Sequence, residues 1–156
     1  MGDPMKHGDD LDGCRTAAVV LALPAPKAVS PRTRDWRYPA TALSVRTMRG
    51  ELRPFLAESG LPDPEIDDLV LAACEAAANG IEHARQPTEP FFDVQAELDG
   101  RRVRIVVRDY GRWTTRRVDP GHRGRGLHMM TMLATVSLTS GPTGTSVTLR
   151  NSVDGR

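Results

Sequence analysis

The chain has 156 residues, 39% hydrophobic and 26% charged, with a formal net charge of +1. That is enough for one domain with a sizeable core, and it leaves no global charge to attract nucleic acid or a membrane surface, so any electrostatic function must be local. Two cysteines, Cys14 and Cys74, exclude a disulfide framework and a cysteine-rich zinc site, and they point to a reducing cytosol, so a cytoplasmic location is expected.

Residues 1–34 are rich in glycine, proline and charge and read as a flexible N-terminal extension. Their apolar run, "AAVVLALPAP", is too short to span a bilayer and is broken by Pro24 and Pro26. Acidic residues precede it, which makes it a poor secretory signal; "TAAVVLAL" could still supply a strand. The ordered domain is expected over residues 35–150, followed by a short tail, 151–156. Leu43, Met48, Leu52, Phe55 and Leu56 recur at helical spacing, with Pro54 as a kink and Gly60 as a stop. The strongest helix is "LPDPEIDDLVLAACEAAANGIEHA", with Asp63 as its cap and Pro64 in its first turn.

Strand signals follow. Phe92, Val94, Ala96 and Leu98 alternate with polar residues, and Asp99-Gly100 marks a hairpin turn. Val103, Ile105 and Val107 alternate next, and Asp109 shares their parity, so its carboxylate faces inward at a strand end. After a loop ending in "GHRGRG" comes a short apolar helix, "LHMMTMLA". The second hairpin is "TVSLTS", the turn "GPTG" and "TSVTLR", in which Thr145 faces inward with Val147 and Leu149. Hairpins in place of crossovers predict an α/β (α+β) two-layer sandwich: a mostly antiparallel sheet with helices on one face.

Three groups of residues carry the chemistry. On the long helix, Ile66, Leu69, Val70, Ala73, Ala77 and Ile81 form one face, and Glu75, Asn79 and Glu82 cluster on the other. A solvent-facing stripe is the ordinary explanation. Yet no lysine or arginine precedes Arg85 in this helix, so the opposite-sign pairs of a solvated face are missing. The alternative is a pocket between helix and sheet. Glu75 and Asn79 lie one turn apart and can address one ligand; an amide oxygen suits Mg²⁺, and a carboxylate can act as a general base. In "GHRGRGLHMM", Gly121, Gly124 and Gly126 let backbone amides crowd an oxyanion at a helix start, with Arg123 and Arg125 adding positive charge. The same loop fits neither the Walker pattern nor a Rossmann fingerprint, and by itself it is equally a structural turn. Asp109, two residues before Gly111, can accept a hydrogen bond from an exocyclic amine such as that of adenine, or can simply be a turn residue.

The order "EAAANGIEHA", "DYGRW", "GHRGRGL", "GTSVTL" resembles the GHKL ATPase superfamily, and within it the anti-sigma factor serine/threonine kinases of the RsbW and SpoIIAB type. The resemblance covers roughly residues 36–150. It implies the Bergerat ATP-binding fold, with ATP and Mg²⁺ as cofactors. It implies that Asn79 binds the metal and that Glu75 is the catalytic residue that activates the attacking hydroxyl. Asp109 would read the adenine amine, with Gly111 leaving room for the base and Thr145 nearby. Gly121, Gly124, Arg125, Gly126 and Leu127 would belong to the loop that wraps the phosphates. Glu82 and His83 match common positions without an assigned role. Trp113 stands where many members have a glycine, and the lid segment, Arg112 to Pro120, is short.

The function implied is an ATP-binding anti-sigma regulatory factor that holds a sigma factor and phosphorylates a serine or threonine on a STAS-type antagonist. A homodimer is expected, with no nucleic-acid or membrane partner. The alternatives are a non-catalytic, nucleotide-loaded binding module of the same fold and a regulatory domain of the kind found fused to phosphatases. His83, His122 and His128 lack the spacing of a metal site on one helix.

Overall fold

The computed structural model describes residues 30–84, 86–111 and 125–151. Its first element is a strand that periodicity did not reveal. β1 (Arg32–Pro39) reads RTRDWRYP, and only Trp36 and Tyr38 turn inward. Charge on the remaining positions hides the alternation, because an edge strand needs few apolar residues. β1 begins three residues before the boundary expected at residue 35; "TAAVVLAL" lies outside the described residues.

α1 (Ala42–Ala57) buries Met48, Leu52, Phe55 and Leu56, as their spacing requires, and continues through Pro54. Leu43 departs from the expectation: it is 71% exposed while its neighbour Ser44 is buried, so it lies off the inward face of α1. Gly60, with φ of +71°, ends the turn after α1, a left-handed conformation glycine adopts without penalty. α2 (Asp63–His83) starts with Pro62 at its cap. Asp63 makes no capping bond; it is the first helical residue, and with Glu65 it sets negative charge against the helix dipole.

β2 (Phe91–Asp99) and β3 (Arg102–Asp109) follow the predicted alternation, burying Phe92, Val94, Ala96 and Leu98, then Val103, Ile105 and Val107. They are joined through Gly100, whose φ is +57°. α3 (Arg125–Leu133) leads into the closing hairpin, β4 (Thr135–Gly141) and β5 (Gly144–Arg150). The sheet order is β1-β2-β3-β5-β4, and every pairing is antiparallel.

The helices cover one face of the sheet, and the core fills the space between the two layers. α2 is the central helix, in contact with α1, α3, β3 and β5. The core is aliphatic, with Leu52, Leu56, Ile105 and Leu149 fully excluded from solvent. Truncating one of these to alanine should cost about 2–5 kcal/mol. Asn151 pins the chain end: its Oδ1 accepts the Val103 N–H at 2.8 Å, and its Nδ2 donates to the Arg101 carbonyl at 2.9 Å. Among the described residues, no helix is long and apolar enough to cross a membrane.

Candidate functional site

β3 delivers Asp109 to its C-terminal end with the carboxylate facing α2, 9% exposed. Oδ1 accepts the backbone N–H of Gly111 at 3.0 Å. Thr145, the residue opposite in the β3–β5 register, supplies a second backbone bond. Burial pushes the Asp109 carboxyl above its usual range, and the two N–H groups pull it partly back.

Glycines set this end of the site. A Cβ on Gly80 would lie 3.1 Å from the Asp109 Cβ and 3.2 Å from its Oδ2, so glycine lets α2 approach the carboxylate. Gly111 presses on the end of α2: a Cβ there would meet the Ala84 Cβ at 2.3 Å. Gly144 has φ of +139°, and a Cβ on it would lie 2.1 Å from the Asp109 carbonyl oxygen. Only glycine satisfies both conditions. Thr145 is 1% exposed, with Oγ1 3.2 Å from the Ser140 hydroxyl.

The backbone after Asp109 is tied down from outside. The Tyr110 carbonyl accepts the Thr88 N–H at 3.0 Å and the Thr88 hydroxyl at 3.2 Å. The Tyr110 hydroxyl donates to Asp93, which Arg37 grips through two bonds of 2.7 and 3.0 Å. The Arg37 guanidinium holds the Asp93 carboxyl below its usual range and lies 3.9 Å from the centre of the Phe91 ring. The sequence reading assigned none of Gly80, Thr88, Asp93, Tyr110 or Gly144 to this end. Gly80 carried a signal, since glycine inside a strong helix costs about 1 kcal/mol against alanine and marks a close approach.

One residue before Gly80, α2 presents Asn79, and one turn earlier Glu75; both are half-buried. The start of α3 lies directly over them. A Cβ on Gly126 would be 3.2 Å from Asn79 Nδ2, 3.4 Å from Glu75 Oε2 and 3.6 Å from Asn79 Oδ1. Glu75 and Asn79 thus face the start of α3 and not the sheet. Glu82 leaves the stripe and is exposed, and His83 is half-buried in the last turn of α2. Leu127 is 43% exposed. Gly121 and Gly124, the lid segment with Trp113, and the side chain of Arg125 lie outside the described residues.

An amide, a carboxylate and a helix N-terminus meet at this second end. The start of a helix directs N–H groups and partial positive charge outward, a setting that favours an oxyanion. Among the described residues, no three histidine, cysteine or acidic side chains cluster as a complete metal site. A Mg²⁺ on Asn79 would need further oxygens from a phosphate and water, the donor set this ion prefers. Cys74 adds no nucleophile, because burial pushes its thiol up and keeps it protonated.

Residues 38–151 match the family model of the histidine kinase-like ATPase domain. Among solved structures, that of the RsbU and RsbW domains of a Mycobacterium tuberculosis protein is 31% identical, with a TM-score of 0.63. The match covers 77% of this chain but only 31% of that one. The histidine kinase domain of an Erythrobacter litoralis blue-light activated histidine kinase aligns at 20% identity and a TM-score of 0.48, over 72% of this chain and 60% of that one.

Proposed function

The chain belongs to the histidine kinase-like ATPase domain family, and from that membership we propose that it binds ATP with Mg²⁺ as an anti-sigma regulatory factor of the RsbW kind. It would hold a sigma factor and phosphorylate a serine or threonine on a STAS-type antagonist, working as a homodimer in the cytoplasm. The 31% identity to the RsbU–RsbW structure supports the choice of branch.

One observation carries the reading. Gly80, which receives Asp109, directly follows Asn79, which with Glu75 receives Gly126. One helix thus connects both groups, a buried carboxylate at one end and a hard-ligand pair under the described start of α3 at the other. Asp109 would accept the adenine amine, while Gly111, packed against Ala84, lets the end of α2 close beside the carboxylate. Asn79 holds the Mg²⁺ that would neutralise phosphate charge. Gly121, Gly124, Arg125, Gly126 and Leu127 surround the phosphates, and Thr145 lies beside Asp109. Glu75 takes the proton of the acceptor hydroxyl as its oxygen bonds the γ-phosphorus and the bond to ADP breaks. Positioning and charge neutralisation supply most of such a reaction's acceleration.

Thermal shift with ATP and Mg²⁺ tests the site. A ligand at one hundred times its dissociation constant should stabilise the protein by about 2.7 kcal/mol, and GTP should do much less. No shift at millimolar ATP would reject nucleotide binding. Labelled ATP incubated with STAS-type antagonists tests the transfer. Binding without transfer would leave the module that grips a partner without phosphorylating it.

A further inference from the structure

The two edges of the sheet are built differently. β1 is charged along its length, with Arg32, Arg34, Asp35 and Arg37, and it ends at Pro39. Charge and proline are the usual protection of a free edge against another strand. β4 at the opposite edge reads TVSLTSG and has neither. Six of its seven residues are exposed, and Val136 is partly buried. Every second residue of such a strand turns its N–H and C=O away from the sheet, where no strand pairs with them among the described residues.

The helix-facing side of β4 is also under-covered. Leu138 pairs with Val147 in the β4–β5 register and shares its face, yet Leu138 is 37% exposed while Val147 is 6%. α3, the helix in contact with β4, leaves Leu127 at 43% and Met132 at 64% exposed. A neutral, proline-free edge thus carries an incompletely buried leucine under a helix that leaves part of its own apolar surface open.

We propose that β4 pairs antiparallel with β4 of a second copy, across a two-fold axis at Leu138, joining two sheets into one. Leu138 is the midpoint of Thr135–Gly141, so it would oppose its own copy, with Val136 opposite Ser140 and Ser137 opposite Thr139. No charge opposes a like charge. The same operation on β1 would set Arg34 against Arg37, an arrangement that destabilises a strand pair. The edge is therefore self-complementary at β4 and self-repelling at β1. Leu138 against its copy would cover the apolar surface that α3 leaves open. This surface rests on the homodimer of the proposed function and does not require nucleotide binding.

Mass by light scattering or sedimentation at tens of micromolar tests it on the full chain. Wild type should be a dimer. Leu138→Lys and Leu138→Glu should each give monomers, because each sets like charges opposite one another, and an equimolar mixture of the two should recover the dimer. A wild-type monomer would overturn both the surface and the homodimer. A dimer that survives in both variants would overturn the surface alone. Monomeric variants whose mixture also stays monomeric would overturn the Leu138 register. Circular dichroism and ATP-dependent thermal shift of the variants should match wild type; a loss of helix and sheet signal would move the test to the double variants Ser137→Lys/Thr139→Lys and Ser137→Glu/Thr139→Glu, each of which sets like charges opposite one another and should be monomeric, while their mixture should restore the dimer.

Discussion

The two ends of the candidate site differ in how far they are assembled. At the Asp109 end two backbone N–H groups hold the carboxylate, Gly111 and Gly144 allow contacts that a side chain would block, and Gly80 brings α2 into tight contact with it. At the Glu75–Asn79 end the side chains are half-buried, and no hydrogen bond fixes either of them among the described residues. The first end resembles a fixed mould, set by the sheet. The second is two side chains of one helix beneath the start of another. Base recognition can be rigid, because the base does not change during the reaction. Under the proposed function the second end would have to accept a triphosphate and release a diphosphate.

Four substitutions probe this contrast. The largest effect is expected for Glu75→Ala. Phosphoryl transfer to an antagonist should fall by about 10² to 10⁴, while ATP affinity holds, since the carboxylate would act on the acceptor hydroxyl and not on the nucleotide. Single-turnover kinetics with labelled ATP would check this, and transfer at the wild-type rate would remove Glu75 from its role. Gly144→Val comes next. Its branched side chain would enter a left-handed conformation 2.1 Å from a carbonyl oxygen, so denaturant unfolding should show a loss of at least 1–3 kcal/mol, and ATP binding should weaken with it.

Asp109→Asn should separate affinity from stability. Loss of a hydrogen bond to a charged acceptor is worth about 1.5–3 kcal/mol, a drop of roughly tenfold to more than a hundredfold in ATP affinity, readable by calorimetry. The fold should not suffer. Because burial raises the Asp109 carboxyl in the folded state, its proton favours folding below the usual carboxylate range. That contribution is lost as pH rises through the elevated folded value. At pH 7 the asparagine variant should therefore be at least as stable as wild type. Greater stability of wild type at neutral pH would contradict a strained, buried carboxylate. The smallest effect belongs to Gly126→Ala. Its new methyl would stand 3.2 Å from the Asn79 amide, tighter than ordinary contact. A shift in melting temperature of only a few degrees, with weakened Mg²⁺-dependent ATP binding, would show that this end yields. A loss as large as that of Gly144→Val would show that both ends are equally rigid.

Much of this was legible in the sequence, because period-two alternation and helical spacing are local properties of a chain that must bury one face. They placed α1, α2, β2, β3, α3 and the closing hairpin, and with them the inward parity of Asp109 and Thr145. The same logic missed β1, whose inward residues are only Trp36 and Tyr38, and misjudged Leu43, which lies off the inward face of α1 that Ser44 and Met48 share. A helical wheel put Glu75, Asn79 and Glu82 on one stripe. Only packing divides them, since α3 comes down on Glu75 and Asn79 and leaves Glu82 to solvent. The glycines show the same limit. Nothing local marks how close Ala84 comes to Gly111, or the Asp109 carbonyl to Gly144, because those neighbours are distant in sequence. Periodicity is written residue by residue, but distance between elements exists only once the sheet and helices have closed on each other.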